Sequence, residues 1–177
     1  MHLCHAWFEF IGEFQMARRV FFSFHYTNDV WRANQVRNCN VVAGTDIAGF
    51  FDHSEYEDAK KKGLDAIKRM IMRNLDGTSV TVVLIGEETA NRPWVKFEIE
   101  ESIKKKNGLL GIYIHHLKDQ DRNYSWLRRG AKPDVPRGID FPAYDWDRDL
   151  ERFRCEIEAA GKRSDALRNP PKSFWSR

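Results

Sequence analysis

The sequence lacks several features that would have indicated a specialised class of protein. It has no apolar run of about 18 residues, so we expect no membrane-spanning helix. Its cysteines (Cys4, Cys39 and Cys155) are far apart, odd in number and without metal-ligand spacing. The formal net charge of +3 is too small to predict nucleic-acid binding from electrostatics alone. We therefore expect a cytoplasmic protein with no metal site and no membrane or nucleic-acid partner.

The length of 177 residues suits one domain with a good core. We predict an N-terminal extension at 1–16, a domain at 17–160 and a basic flexible tail at 161–177. Apolar residues of the extension follow helical spacing, which predicts an amphipathic helix. Two interpretations of it stay open: a docking or dimerisation helix, or a segment upstream of a translation start at Met16.

Apolar patterns alternate between strand and helix types along the chain. Strands are predicted at Val20–Phe24, Ile47–Phe51, Val80–Ile85, Leu109–Ile114 and, as a short edge strand, Phe141–Tyr144. Helices are predicted from Thr27 or Asn28 to Arg37, from Pro93 to Lys106 and from Asp147 to Ala160. Between the first two, a helical segment is predicted after Ser54, and an apolar stripe of Leu64, Ile67, Ile71 and Leu75 predicts a further helix. Residues 116–138 read as a long irregular loop. This alternation predicts an α/β fold: a flavodoxin-like parallel sheet of four to five strands with helices on both faces.

The stretch from Trp94 to Glu98 is the most informative part of the chain. Pro93 suits the first position of a helix, and the spacing places the indole and the carboxylate on one helical face. Because the helix follows the strand Val80–Ile85, the acid should lie near the carboxyl edge of the sheet, where open α/β folds bind ligands. We expect a partly exposed acid, whose replacement by glutamine changes stability little.

Other side chains should reach the same edge. Phe24 and His25 stand at the end of the first strand, and Asp52 ends the second. An ordinary glycosidase uses two carboxylates. One carboxylate suffices when the leaving group departs without a proton, as nicotinamide leaves NAD⁺, and the remaining task is to stabilise an oxocarbenium-like ribose. The pattern therefore suggests cleavage of NAD⁺ as a hypothesis.

Three stretches carry a resemblance to a known family: Arg19–Tyr26, Val82–Gly86 and Trp94–Ile99. Together they resemble a TIR-like domain, of the bacterial branch that includes the TIR protein of the Thoeris antiphage defence system. The resemblance covers about residues 17–115. The chain lacks the acid before the first strand and the Arg-Asp-Pro-Gly loop of many eukaryotic TIR domains, so the interaction mode of receptor TIR domains is not implied.

The resemblance implies an enzyme that cleaves the nicotinamide–ribose bond of NAD⁺, with NAD⁺ as substrate and no cofactor. By the match of motifs, Glu98 would be the catalytic residue, and Phe24 and His25 would line the nucleotide pocket; Trp94 and Asp52 are further candidates for substrate binding. The product would be a linear or cyclic ADP-ribose signal in antiphage defence, which activates a separate effector protein. Assembly of several copies and a phage-derived trigger are further expectations.

Several alternatives stay open from the sequence. On spacing alone, Glu98 is a solvated helix residue, Trp94 a cover for the sheet end, His25 an interior histidine and Asp52 a cap. For the whole protein, the alternatives are a non-catalytic TIR module that signals by assembly and a nucleoside deoxyribosyltransferase-like enzyme, which also uses one glutamate. A phosphorelay receiver is disfavoured, because the first strand is not followed by the carboxylates that bind Mg²⁺.

Overall fold

The computed structural model describes residues 18–39, 46–47, 53–119 and 128–170, and every structural statement below concerns these residues. A parallel sheet of five strands lies at the centre. The strands are β1 (Arg19–Phe24), β2 (Asp46–Ile47), β3 (Val80–Ile85), β4 (Gly108–Tyr113) and β5 (Ala143–Asp145). The helices are α1 (Tyr26–Arg37), α2 (His53–Lys61), α3 (Leu64–Leu75), α4 (Pro93–Lys104) and α5 (Leu150–Arg168), with a 3₁₀ turn at Thr89–Asn91.

The strand order is β2-β1-β3-β4-β5. The chain moves outward from β1 to β2 and then returns to the other side of β1 to add β3, β4 and β5. This is the flavodoxin-like order, in which ligands bind outside the carboxyl ends of β1 and β3, where the direction of winding reverses. The predicted α/β fold with a parallel sheet of four to five strands is confirmed.

Helices cover both faces of the sheet, and the side-chain alternation of β1 divides the core between them. On one face, Phe22 and Phe24 pack with residues of α1 and α5; we call it the α1/α5 face. On the other, Phe21 packs with α3 and Val83 of β3 packs with α4; we call it the α3/α4 face. The central strands are apolar on both sides for this reason.

Helix α3 confirms three residues of the predicted apolar stripe and corrects the fourth. Ile67, Ile71 and Leu75 are buried, whereas Leu64 is 68% exposed. Leu64 is the first residue of the helix, directly after Gly63, whose φ is 96°. The stripe begins to pack one turn later, where α3 meets the α3/α4 face.

Parts of three predictions lie outside the described residues. The N-terminal extension does, and so does most of the predicted second strand, including Asp52. The last residues of the predicted tail, 171–177, do as well. Within the described ranges, none of the helices has the length and apolar character needed to cross a membrane.

The predicted flexible tail is wrong where the structure describes its first residues. Helix α5 continues past Ala160 to Arg168. Gly161 allows the Arg18 side chain to approach the helix closely, because a Cβ atom at position 161 would lie only 2.4 Å from Nε of Arg18. Arg18 in turn pairs with Glu158 and Asp165, both at 2.8 Å. The glycine that suggested a helix end is a packing position inside the helix.

Candidate active site

Glu98 lies on the α3/α4 face, against the strand at which the sheet changes direction. Helix α4 begins at Pro93, as predicted, and packs across β1. The Glu98 side chain is only 3% exposed, and Ser23 Oγ of β1 donates a hydrogen bond of 2.5 Å to its Oε2. The interpretation of Glu98 as a solvated helix residue is therefore wrong, and so is the expectation of a partly exposed acid.

Burial changes the acidity of this carboxyl group. Removal from water raises the pKa of Glu98 to about 8, and the hydrogen bond from Ser23 opposes the rise. Near neutral pH and without a bound cation, the group is mainly a neutral acid. A cation placed beside it would favour the anion, because an opposite charge within a few ångströms lowers a carboxyl pKa.

Aromatic side chains surround this end of the sheet. Trp94 is partly buried against the cluster of α2 and α3, and its ring meets Phe97 edge to face at 6.1 Å. Tyr26 stacks on Tyr56 at 4.6 Å. Burial, followed by the charges of Glu57 and Glu98, raises the pKa of the Tyr56 phenol. Tyr56 is thus within electrostatic reach of the buried acid, and it adds to the aromatic surface that the sequence predicted around Trp94.

Phe24 is not adjacent to Glu98. It is 6% exposed and belongs to the core of the α1/α5 face, opposite the face that carries Ser23 and Glu98. Successive side chains of a strand point to opposite faces of the sheet, so those of Phe24 and Ser23 lie on different faces. The structure thus corrects the expectation that Phe24 lies beside Glu98 in the nucleotide pocket. Its ring lies 5.9 Å from that of Tyr26, which stacks on Tyr56.

His25 lies at the carboxyl end of β1 in a charged cluster. Its Nδ1 is 3.8 Å from a carboxylate oxygen of Glu88, which also accepts hydrogen bonds from Asn28 (3.0 Å) and from Arg92. Burial and the nearby Arg92 charge lower the pKa of His25, and Glu88 opposes the change. His25 is therefore a largely buried, mainly neutral imidazole at the switch point, a position compatible with hydrogen bonding to a ligand.

A buried acid, Asp29, lies in the same region and was missed by the sequence analysis. It is 2% exposed, pairs with Arg32 at 3.2 Å, and has a pKa raised to about 6, mainly by burial. Its carboxylate covers the end of β3, since a Cβ atom on Gly86 would lie 2.2 Å from it. The helix of Asp29 has a weak apolar pattern, so no spacing signal marked this acid as an interior one.

The chain after residue 128 passes across the same edge. A Cβ atom on Gly130 would lie 1.9 Å from the Gly86 carbonyl oxygen, so this segment contacts the end of β3 directly. An open groove on α2 and α3, lined by residues such as Glu55, Lys62 and Arg73, lies elsewhere and contains none of the predicted site residues.

The matched family adds an independent observation. The model of the family described as "Thoeris protein ThsB, TIR-like domain" matches residues 21–119 of this chain, which is more than half of its length. The chain belongs to the ThsB TIR-like family. A relative in Bacillus cereus (strain MSX-D12), named "Putative cyclic ADP-D-ribose synthase ThsB1", is 45% identical over 149 residues, which are 83% of this chain and 74% of that protein.

The ThsB-type domain contains the core of the site. The matched residues run from β1 through β4 and include Ser23, His25, Trp94 and Glu98. Strand β5 and helix α5 lie beyond the match. In this ThsB-family chain, the structure brings together Glu98, Trp94, Ser23 and Tyr56 on one face and His25 at the adjoining edge. Asp52 lies outside the described residues.

The arrangement limits the chemistry that the site can perform. One carboxylic acid is almost completely buried, next to a hydroxyl donor and close to aromatic rings. A second carboxylate partner, which protonation of a poor leaving group would require, is not beside Glu98 among the residues that the structure describes. Such a site suits a reaction in which positive charge develops on the substrate and the leaving group needs no proton.

Proposed function

We propose that this protein cleaves the N-glycosidic bond between nicotinamide and ribose in NAD⁺ and forms a cyclic ADP-ribose. The observation that carries the proposal is the isolated, buried Glu98 at the switch point of a ThsB-type domain. The name of the Bacillus cereus relative, a cyclic ADP-D-ribose synthase, supports the same reaction and product class.

In this mechanism Glu98 acts as an anion. The bond between C1′ of the ribose and the pyridinium nitrogen breaks, and its electron pair leaves with nicotinamide, which becomes neutral. Positive charge then develops on the ribose, and the Glu98 carboxylate stabilises it through space in a site with little water. Attack on C1′ by an atom of the same ADP-ribose gives a cyclic product, whereas attack by water gives the linear one.

Substrate binding also accounts for the ionisation of Glu98. The group has a pKa of about 8 without substrate, so it is mostly protonated at neutral pH. The fixed positive charge of the nicotinamide ring lowers that pKa when the ring lies against the acid. The anion therefore forms where its charge is used, and binding of NAD⁺ releases a proton.

Three further residues have proposed roles in binding. Trp94 offers an aromatic surface one helical turn from Glu98, suited to a flat ring. His25, mainly neutral, is suited to hydrogen bonding with a ribose hydroxyl. Asp52, which follows the predicted second strand, is proposed to bind substrate hydroxyls. Phe24 supports the pocket from the core of the opposite face through Tyr26.

We extend the proposal to the biological setting that membership of the family suggests. We place the reaction in the cytoplasm, with a nucleotide product that a separate effector protein recognises in antiphage defence. Assembly of several copies and activation by a phage-derived trigger are part of the same proposal.

Chromatography of the products formed from NAD⁺ by purified full-length protein tests the proposal. Glu98→Gln should abolish release of nicotinamide, because an amide cannot supply the negative charge. Glu100→Gln is the matched control: it lies on the same helix, is exposed, and should retain activity. The reactions are run with and without lysate from infected cells, so that a missing trigger does not mimic an inactive enzyme.

The outcomes separate the alternatives. Equal nicotinamide release by the wild-type and Glu98→Gln proteins would contradict the role of Glu98. Base release from deoxynucleosides, with NAD⁺ untouched, would favour a deoxyribosyltransferase-like enzyme. If defence survives Glu98→Gln and no turnover occurs under either condition, the protein is a non-catalytic TIR module.

A further inference from the structure

A tight turn follows β4 and carries two adjacent histidines. The Leu117 N–H donates to the Ile114 carbonyl at 3.0 Å, which makes His115 and His116 the central residues of the turn. Asp145, at the end of β5, pairs with the last residue of β4 in the sheet register. One ligand atom from each of His115, His116 and Asp145 lies within 4.8 Å of the others.

A hydrogen bond to the backbone holds the imidazole of His116. Its Nε2 is 2.7 Å from the carbonyl oxygen of Trp146. A carbonyl only accepts hydrogen bonds, so Nε2 carries the proton and Nδ1 presents its lone pair. Histidines that bind metals usually donate their other ring N–H to a carbonyl or carboxylate in this way.

His115 has a nitrogen that lacks a hydrogen-bond partner among the residues that the structure describes. Its Nδ1 is buried and unpaired there, which is costly for a polar atom. The ring lies edge to face with Tyr113 at 6.3 Å and with His116 at 5.2 Å.

We propose that His115, His116 and Asp145 bind one divalent transition-metal ion, with Zn²⁺ as the best fit. Two imidazoles and a carboxylate suit zinc and its neighbours better than Mg²⁺ or Ca²⁺, which prefer all-oxygen sites. Zinc–ligand bonds of about 2 Å allow ligand atoms about 3 to 4 Å apart, so side-chain rotations of about 1 Å close the site. Three protein ligands leave one position for water.

Arg129 competes for the same carboxylate. It pairs with Asp145 at 3.3 Å and lies 3.9 Å above the Tyr113 ring. Both side chains of the ion pair are about half exposed, 52% and 50%, so the pair contributes little to the free energy of unfolding. A metal ion can therefore replace the arginine at Asp145 at little cost. Arg129 precedes Gly130, which contacts Gly86 at the end of β3. The proposed metal site is therefore connected, through Arg129, to the segment that crosses the candidate active site.

Zinc titration of the full-length protein, stripped of metal with a chelator and followed by calorimetry, tests the site. His2 and His5 are further imidazole donors in the sequence, so the titration is repeated on a variant with both changed to alanine. His116→Ala and Asp145→Asn are then added in that background. His53→Ala, a substitution at the first residue of α2, is the control.

We expect one bound ion per chain in the background variant, with affinity at least about tenfold weaker in His116→Ala and Asp145→Asn and unchanged in His53→Ala. Circular dichroism verifies that each variant is folded. Substitution by Co²⁺ gives a second measurement, since visible absorption bands report nitrogen and oxygen ligation. The proposal is wrong if the background variant binds no zinc, or binds it equally well after loss of His116 and Asp145.

Discussion

The burial of Glu98 predicts an unusual effect of pH on stability. The pKa of Glu98 is about 8 in the folded protein and near the ordinary value of 4.5 in the unfolded chain. Below about pH 4.5 the group is protonated in both states. Between these two values the unfolded chain gives up the proton more readily, so the free energy of unfolding falls as pH rises. The loss is complete once pH exceeds the folded-state pKa.

The size of the effect follows from the shift. One pKa unit corresponds to about 1.4 kcal/mol, so a shift from 4.5 to about 8 corresponds to about 5 kcal/mol over the full range. Between about pH 5 and about pH 8 the expected loss is about 3 kcal/mol. Glutamine has nearly the same shape and no charge. Glu98→Gln should therefore become more stable than the wild type as pH rises, by about 3 kcal/mol over this interval.

Urea denaturation of the wild-type protein and Glu98→Gln at the two pH values measures this difference. Contributions from other groups with shifted pKa values, such as Asp29, cancel because both proteins contain them. Glu100→Gln, exposed on the same helix, should track the wild type at both pH values. A difference between wild type and Glu98→Gln that stays constant with pH would refute the reasoning, because it would mean that Glu98 titrates alike in the folded and unfolded states.

Three further predictions concern single positions. Ser23→Ala removes the hydrogen bond that lowers the pKa of Glu98, so the rise of kcat/KM with pH should move to higher pH; an unchanged profile would contradict a positioning role. Gly108→Ala would place a Cβ atom 1.8 Å from the Ala160 carbonyl oxygen and should lower the free energy of unfolding by about 2 kcal/mol or more, as urea denaturation can measure. Ile71→Ala should lower the free energy of unfolding by about 3 kcal/mol, because the side chain is 1% exposed. Leu64→Ala on the same helix should change the stability, measured as the melting temperature, little.

Local sequence patterns were sufficient to predict the strands at the centre of the sheet and the helices that follow β3 and precede it. The apolar runs at β1 and β3 predicted central strands, and Val80–Ile85 has the bounds that the sequence predicted. Pro93 marked the start of α4, and the stripe of α3 marked its buried face from Ile67 onward. These signals succeed because hydrophobic periodicity and proline geometry act within a few residues of the chain.

Contacts between distant residues decided the features that the patterns could not reveal. The predicted helix stopped before Gly161, but α5 continues through it to Arg168, and Arg18 packs closely against this glycine. Phe24 resembled a pocket residue, but the alternation of β1 turned it toward the opposite core. Asp29 carried no signal at all, since its burial depends on the close approach of Gly86.

For the candidate site, the sequence alone determined the position of Glu98 on a helix at the carboxyl edge of a parallel sheet, and its motifs indicated the family. Its burial and its raised pKa were decided only by the tertiary structure. The hydroxyl of Ser23 reaches Glu98 across 75 residues of sequence because β1 and α4 pack together at the switch point. Acidity depends on what surrounds a carboxyl group in space, and residue spacing along the chain does not contain that information.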